Sequence, residues 1–273
     1  MKMPVFSCAM LVLSIVRSGN GQETNPSPDD SSPSENLEQI ELDSTPSDPA
    51  AVGFLTGIVD RLVYSPENDG LVEFSALAKV RWIGPPPLPP NIDAPISIDF
   101  SKGTTRVNWP NHIQKEYWSA LQEQVFALLH LTMRHSREAT QFIATLEHDG
   151  KELRVDYKPR SNQFQPRTCW YREDGLPLRV RQESKNPLTG KVNVVDSEYE
   201  YAEIEGRKVR TRRVDKCQGI SGEWRYEYAA QNGYLLLCKV SALNSGVGMT
   251  IEYDSFVLSP ANANQTQKPT SGR

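Results

Sequence analysis

Between residues 72 and 82 apolar side chains fall on every second position: Val72, Phe74, Ala76, Ala78, Val80 and Trp82, with Glu73, Ser75, Lys79 and Arg81 among those between. A period of two puts one face of a strand in a core and the other in water. Ile96, Ile98 and Phe100 alternate in the same way before a turn at 101–103 and a return over 105–109. Residues 142–148 and 151–157 flank Asp149-Gly150, a hairpin dipeptide. A two-residue loop there sets Leu146 opposite Leu153, Ala144 opposite Val155 and Phe142 opposite Tyr157. Further strands are predicted over 167–173, 178–183, 191–201, 208–215, 223–228, 234–243 and 249–258, parted by Gly, Pro, Asn and Asp turn chemistry. A meander of roughly ten or eleven strands is too long to stay flat and is expected to coil.

One long stretch breaks this period. Ile113, Tyr117, Leu121, Val125, Leu128 and Leu129 recur at helical spacing, so 111–135 predicts a helix of about five turns or more. Asn111 with Gln114 suits its N-terminus, and Arg134, His135 and Arg137 suit the negative end of its dipole. Residues 125–133 are apolar almost all round, the pattern of an enclosed helix. A second, shorter helix is predicted from Pro49, with Ser47 as cap and Val52, Leu55, Ile58, Val59, Leu62 and Val63 as its apolar stripe. The expected fold class is α+β: a coiled antiparallel sheet, an open or half barrel, wrapped around a central helix, with a second short N-terminal helix.

The ends do not belong to that domain. Residues 1–21 hold Lys2, an apolar run from Val5 to Val16, then Arg17 and small residues, the pattern of a secretory signal peptide cleaved after Ser18 or Gly21. A membrane anchor is the competing reading, but the run is short of the ~20 residues that span a bilayer. Residues 22–48 carry eight acidic and no basic residues among Pro and Ser, a solvated disordered linker. Residues 261–273 are a polar disordered tail, which leaves 49–260 as one domain. With signal removal the chain is expected to be exported, periplasmic or extracellular, and not integral to a membrane.

The formal net charge of −4 sits mostly in the linker, and a near-neutral domain argues against nucleic acid as partner. Cys169, Cys217 and Cys238 lie beyond the signal segment. In an oxidising compartment Cys217 and Cys238 are the favoured disulfide pair, and the competing reading is three small buried thiols. No cysteine or histidine spacing suits a metal, no nucleophile elbow or phosphate loop occurs, and no cofactor is expected. Asp196, Glu198 and Glu200 share one face of a strand and are expected to form a cross-strand ion ladder with Arg210 and Arg212. The basic run 207–216 has a second reading, contact with a phosphate head group or anionic surface.

Over 170–216, Glu173-Asp174, the Gly175-Leu176-Pro177 turn, the Leu178 and Val180 strand, and Gly206 before the basic strand 208–214 resemble the periplasmic lipoprotein-carrier (Lol-type) superfamily and related uncharacterised exported proteins. That resemblance implies an unclosed barrel enclosing a cavity suited to acyl chains, with no catalytic residues. The lipid-attachment cysteine of membrane-anchored relatives is absent. The expectation is a non-enzymatic exported carrier or binding module for an apolar or acylated ligand, a lipid or acylated protein, in the cell envelope. Its lining is expected from Val72, Phe74, Val80, Trp82, Trp118, Leu121, Phe126, Leu129, Phe142 and Leu146. The alternative is a structural or protein-interaction module whose core is filled and holds no ligand.

Overall fold

In a computed structural model, residues 43–86, 88, 90–108, 110, 134–137, 141–160, 165–185 and 192–261 are described. They form one antiparallel sheet: β1 (Leu71–Ile83), β2 (Ile92–Asp99), β3 (Thr104–Val107), β4 (Phe142–Asp149), β5 (Glu152–Pro159), β6 (Arg167–Arg172), β7 (Pro177–Lys185), β8 (Val192–Ile204), β9 (Arg207–Cys217), β10 (Ile220–Gln231), β11 (Tyr234–Asn244) and β12 (Val247–Pro260). The order across the sheet is β3-β2-β1-β12-β11-β10-β9-β8-β7-β6-β5-β4. Every neighbour but one is a sequence-adjacent hairpin; the exception pairs β1 with β12. The sheet is open, with β3 and β4 at its two edges. The expected central helix over 111–135, with Trp118, Leu121, Phe126 and Leu129, lies outside the described residues except at its C-terminal end. There Arg134 precedes a short 3-10 turn, His135–Arg137, tied back by Ser136 N–H to Asp60 and by Arg137 to Glu67.

The β4–β5 hairpin corrects the predicted register by two residues. Asp149 pairs with Glu152, so the loop is Gly150-Lys151, with Gly150 in the left-handed region at φ 66°. Leu146 therefore faces Val155 and Ala144 faces Tyr157, and because the slip is two the apolar set stays on its face.

Helix α1 runs through Pro49–Phe54, a π turn at Leu55–Val59, and Asp60–Leu62. Its cap is Asp48, which accepts from Ala50 N–H, and not the expected Ser47. The wider π turn shifts the buried stripe to Ala51, Phe54, Leu55, Val59 and Val63, leaving Ile58 exposed. Ser47 instead binds the sheet edge: its hydroxyl donates to Phe142 O and accepts from Ala144 N–H, while Asp48 N–H donates to Ala144 O. These bonds occupy the free side of edge strand β4, where an unpaired ladder would invite association. Asp43 adds an ion pair to Lys158, and Arg160 binds the Asp43 and Thr45 carbonyls. Residues 43–48, expected in the disordered linker, are thus bonded to this edge of the sheet.

From α1 the chain follows one end of the sheet. Phe54 meets Tyr171 edge-on, Tyr64 N–H donates to Lys208 O, and Tyr64 Oη accepts from Leu235 N–H. This strap crosses the β6–β7, β8–β9 and β10–β11 turns before entering β1.

Two large apolar clusters result, beside a small pair, Val195 with Cys217. One joins β1, β2 and β10–β12 around Phe74, Val80, Ile96, Trp224 and Ile251; the other joins α1 to β4–β6 around Leu55, Phe142, Val155 and Tyr171. The opposite face carries charges: Lys79–Asp254, Lys239–Glu252, Arg225–Glu223–Arg212–Glu200, Lys216–Glu198, Arg181–Asp196 and Arg179–Glu152. The expected ladder is present in Arg212, but Arg210 is not in it. Cys217 and Cys238 are separate thiols, correcting the expected disulfide. They stand on β9 and β11 with β10 between, so roughly 9–10 Å of sheet separates their strands, beyond the ~7 Å reach of a disulfide.

Candidate functional site

Residues directly opposite in an antiparallel ladder share a face, so register alone traces the surface opposite the charges. Leu146, Val155, Cys169, Val180, Ser197 and Asp215 are successive partners from β4 to β9. Two residues along β9 from Asp215, Arg213 is flanked by Tyr199 on one side and by Trp224, Ala242, Met249 and Trp82 on the other. One face therefore runs unbroken from Leu146 to Trp82. It is apolar at both ends and polar in the middle.

The polar middle is built on β8–β10. The Asp215 carboxylate is fully buried and accepts four bonds: Arg213 Nε at 2.5 Å and Nη2 at 2.6 Å, Ser197 Oγ at 2.7 Å and Trp224 Nε1 at 3.0 Å. Arg213 also lies over the Trp224 ring. Burial opposes its charge, and the Asp215 carboxylate more than restores it, raising its pKa.

Arg210 reaches the same face through a bulge. Glu200 pairs with Arg212 but Tyr201 pairs with Arg210, so Thr211 is an extra residue in β9. Without it, Arg210 and Arg212 share a face; with it, Arg210 joins Arg213. The Arg210 guanidinium lies 4.0 Å from the centroid of Tyr199 and 6.0 Å from that of Tyr201. No carboxylate among the described residues pairs with it; the Tyr201 hydroxyl is its polar neighbour, and Arg210 Nε is sealed from solvent without a hydrogen-bond partner among those residues. The surrounding phenols cannot neutralise it: burial pushes Tyr201 and Tyr226 up to about 12, against the pull of the arginines, so both are uncharged at physiological pH. Among the described residues Arg213 is therefore paired with a carboxylate and Arg210 is not.

The residues expected to line a ligand site divide between the two ends. Phe74 and Val80 are buried in the first cluster with Trp82 packed against it, and Phe142 is buried in the second with Leu146 packed against it. Val72 leaves the set, because a register shift between Leu71 and Glu73 sends Leu71 into the core in its place. The Arg213–Asp215–Ser197–Trp224 network was not anticipated, and Arg210, expected in the charge ladder or in a basic run open to a phosphate head group, stands instead on the apolar face. Alternation of Arg213 with Asp215, and of Trp224 with Tyr226, was the available signal for the network; the bulge that turns Arg210 has no signature in composition.

No protein-family model matches the sequence, and no curated protein matches it. Among solved structures, a LolA superfamily protein from Nitrosomonas europaea is 11% identical, covering 77% of this chain and 93% of its own, with a TM-score of 0.35. A DUF1329 family protein from Desulfovibrio piger is 9% identical over 79% of this chain and 94% of its own, TM-score 0.40. An outer membrane lipoprotein-sorting protein domain from Vibrio parahaemolyticus is 9% identical over 81% of this chain and 94% of its own, TM-score 0.33. The first and third of these carry the name of the group that residues 170–216 resemble. No helix of the described residues is long and apolar enough to cross a membrane, and no group of them is arranged to hold a metal ion.

Proposed function

We propose that the protein is an exported, non-enzymatic carrier or binding module for an apolar or acylated ligand, held on the sheet face opposite the charge ladder. The observation that carries this reading is the register-linked face from Leu146 to Trp82, with apolar clusters at its ends and Leu146, Val180, Tyr201, Tyr228 and Trp82 only partly covered. Apolar area left accessible beside a buried core is what a lipid chain can remove from water. The opposite face also exposes Ile83, Val192, Val194, Leu243 and Val257, but these are set among its ion pairs and do not adjoin a buried apolar cluster on that face. Trp82 and Leu146 are assigned to the ligand surface, backed by buried Phe74, Val80 and Phe142. Export rests on the apolar run at 5–16.

Native mass spectrometry of the protein recovered from an exported preparation tests this, with a lipid extract run beside it. The expected result is a copurified acyl species that is lost in Trp82→Glu while the fold persists by circular dichroism. A bare chain mass, with no uptake of a hydrophobic dye, refutes the carrier and leaves the filled-core interaction module.

A further inference from the structure

We infer that Arg210 anchors the head group of an anionic amphiphile: its guanidinium receives a carboxylate or phosphate while the acyl chain lies against the apolar clusters beside it. This rests on the binding-module reading and names the ligand's chemistry. Among the described residues Arg210 lacks a counter-ion: Arg213 has its carboxylate in Asp215, whereas Arg210 meets the uncharged side chains of Tyr199 and Tyr201. A cation held away from water without an anion is costly, and unmet donors beside it add to the cost. Arg210 Nε is such an unmet group among the described residues.

Geometry makes the site ready for that anion. Stacking on Tyr199 fixes the plane of the guanidinium, whose forked donors match a carboxylate or phosphate edge. Arg210 is partly buried: its Nε is sealed, while the residue as a whole keeps some exposure. The position is also right: β9 lies between the strands of the two apolar clusters, where a head group leaves its chain apolar surface to cover. A neutral ester or alcohol does not satisfy this charge.

The test uses the full chain and three probes of one chain length: palmitate, hexadecyl phosphate and hexadecanol, compared by competition with a fluorescent fatty-acid probe. The wild type is expected to bind at least one anion about tenfold or more tighter than the alcohol. The better of the two anions identifies the head group. Arg210→Gln is expected to erase that gap while hexadecanol affinity holds, Arg210→Lys to keep part of it, and Arg212→Gln on the opposite face to keep all of it. Equal wild-type affinity for all three probes overturns the anchor alone, as does a gap that survives Arg210→Gln. Failure of all three to bind refutes the carrier reading and the anchor with it. If Arg210→Gln does not fold, the wild-type comparison of anion with alcohol decides by itself.

Discussion

Replacing Asp215 by Asn changes one atom and removes the charge on which four donors converge. The carboxylate is fully buried and Arg213 is 6% exposed, so neither water nor salt can compensate. In Asp215→Asn the amide presents N–H groups to at least one of Arg213, Ser197 and Trp224, and the Arg213 guanidinium is stranded. Breaking a buried pair from one side costs about 3–5 kcal/mol. For a domain of this size, each kcal/mol corresponds to about 2–4 °C, so the midpoint should fall by roughly 6–20 °C. Thermal unfolding gives that midpoint, and urea unfolding followed by far-ultraviolet circular dichroism and tryptophan fluorescence gives the free-energy loss. The exposed pair Lys216–Glu198 on the opposite face is the control, and Glu198→Gln should barely move the midpoint. The double variant Arg213→Met/Asp215→Leu should recover much of the loss, because removing both charges removes the stranded one. A loss under about 1 kcal/mol for Asp215→Asn, the scale of a solvated surface pair, would refute the argument that this network is buried and fully used.

Gly248→Ala is expected to cost about 1–3 kcal/mol or more, because the new methyl overlaps the Ala242 carbonyl across the β11–β12 hairpin; Gly53→Ala in α1 meets open space and should stabilise by about 0.5–1 kcal/mol, both read from urea curves. Ser47→Ala removes two bonds from the β4 edge and should speed hydrogen exchange at the Ala144 amide severalfold while leaving β9 amides unchanged. For Asp99, burial pushes the pKa up, but bonds from Ser101 and from Lys102 outweigh it and hold the carboxyl at about 2 against an ordinary 3.8. A depressed carboxylate contributes stability above its ordinary value and loses it as pH falls through the folded value, so Asp99→Asn should flatten the decline of stability between about pH 4 and 2.

Strand positions were legible because turns and alternation are local. Asn232-Gly233, Asn244-Ser245-Gly246 and the break before Gly206 all separate strands as their chemistry requires. What resisted reading was the placement of single extra residues. In the β4–β5 hairpin, Asp149 prefers the ladder to the loop and leaves Gly150 to take the positive φ, a choice between neighbouring residues that local propensity does not settle. The strand before Phe100 begins at Ile92, although Pro95 has no N–H to give the ladder. Pro95 still supplies a carbonyl, which accepts from Asn108 N–H. In β9, counting by twos from Arg212 assigns Arg210 to the charge ladder, and only the bulge at Thr211 reverses it.

That bulge links shape to chemistry. A sheet of twelve strands cannot stay flat, and extra residues in one strand of a pair raise the local twist that lets it coil. Register shifts occur at β6–β7, β8–β9, β10–β11 and twice at β1–β12, so the irregularities are spread across the middle of the sheet and not confined to its edges. At β8–β9 the residue that adds twist also turns a guanidinium from the solvated ladder to the apolar face, where no carboxylate among the described residues meets it. A sheet needing only curvature could place a small apolar residue at 210. The arginine there gives the bulge a second effect, a positive charge held on a stacked tyrosine between two apolar surfaces, and it makes the face selective for an amphiphile with an anionic end.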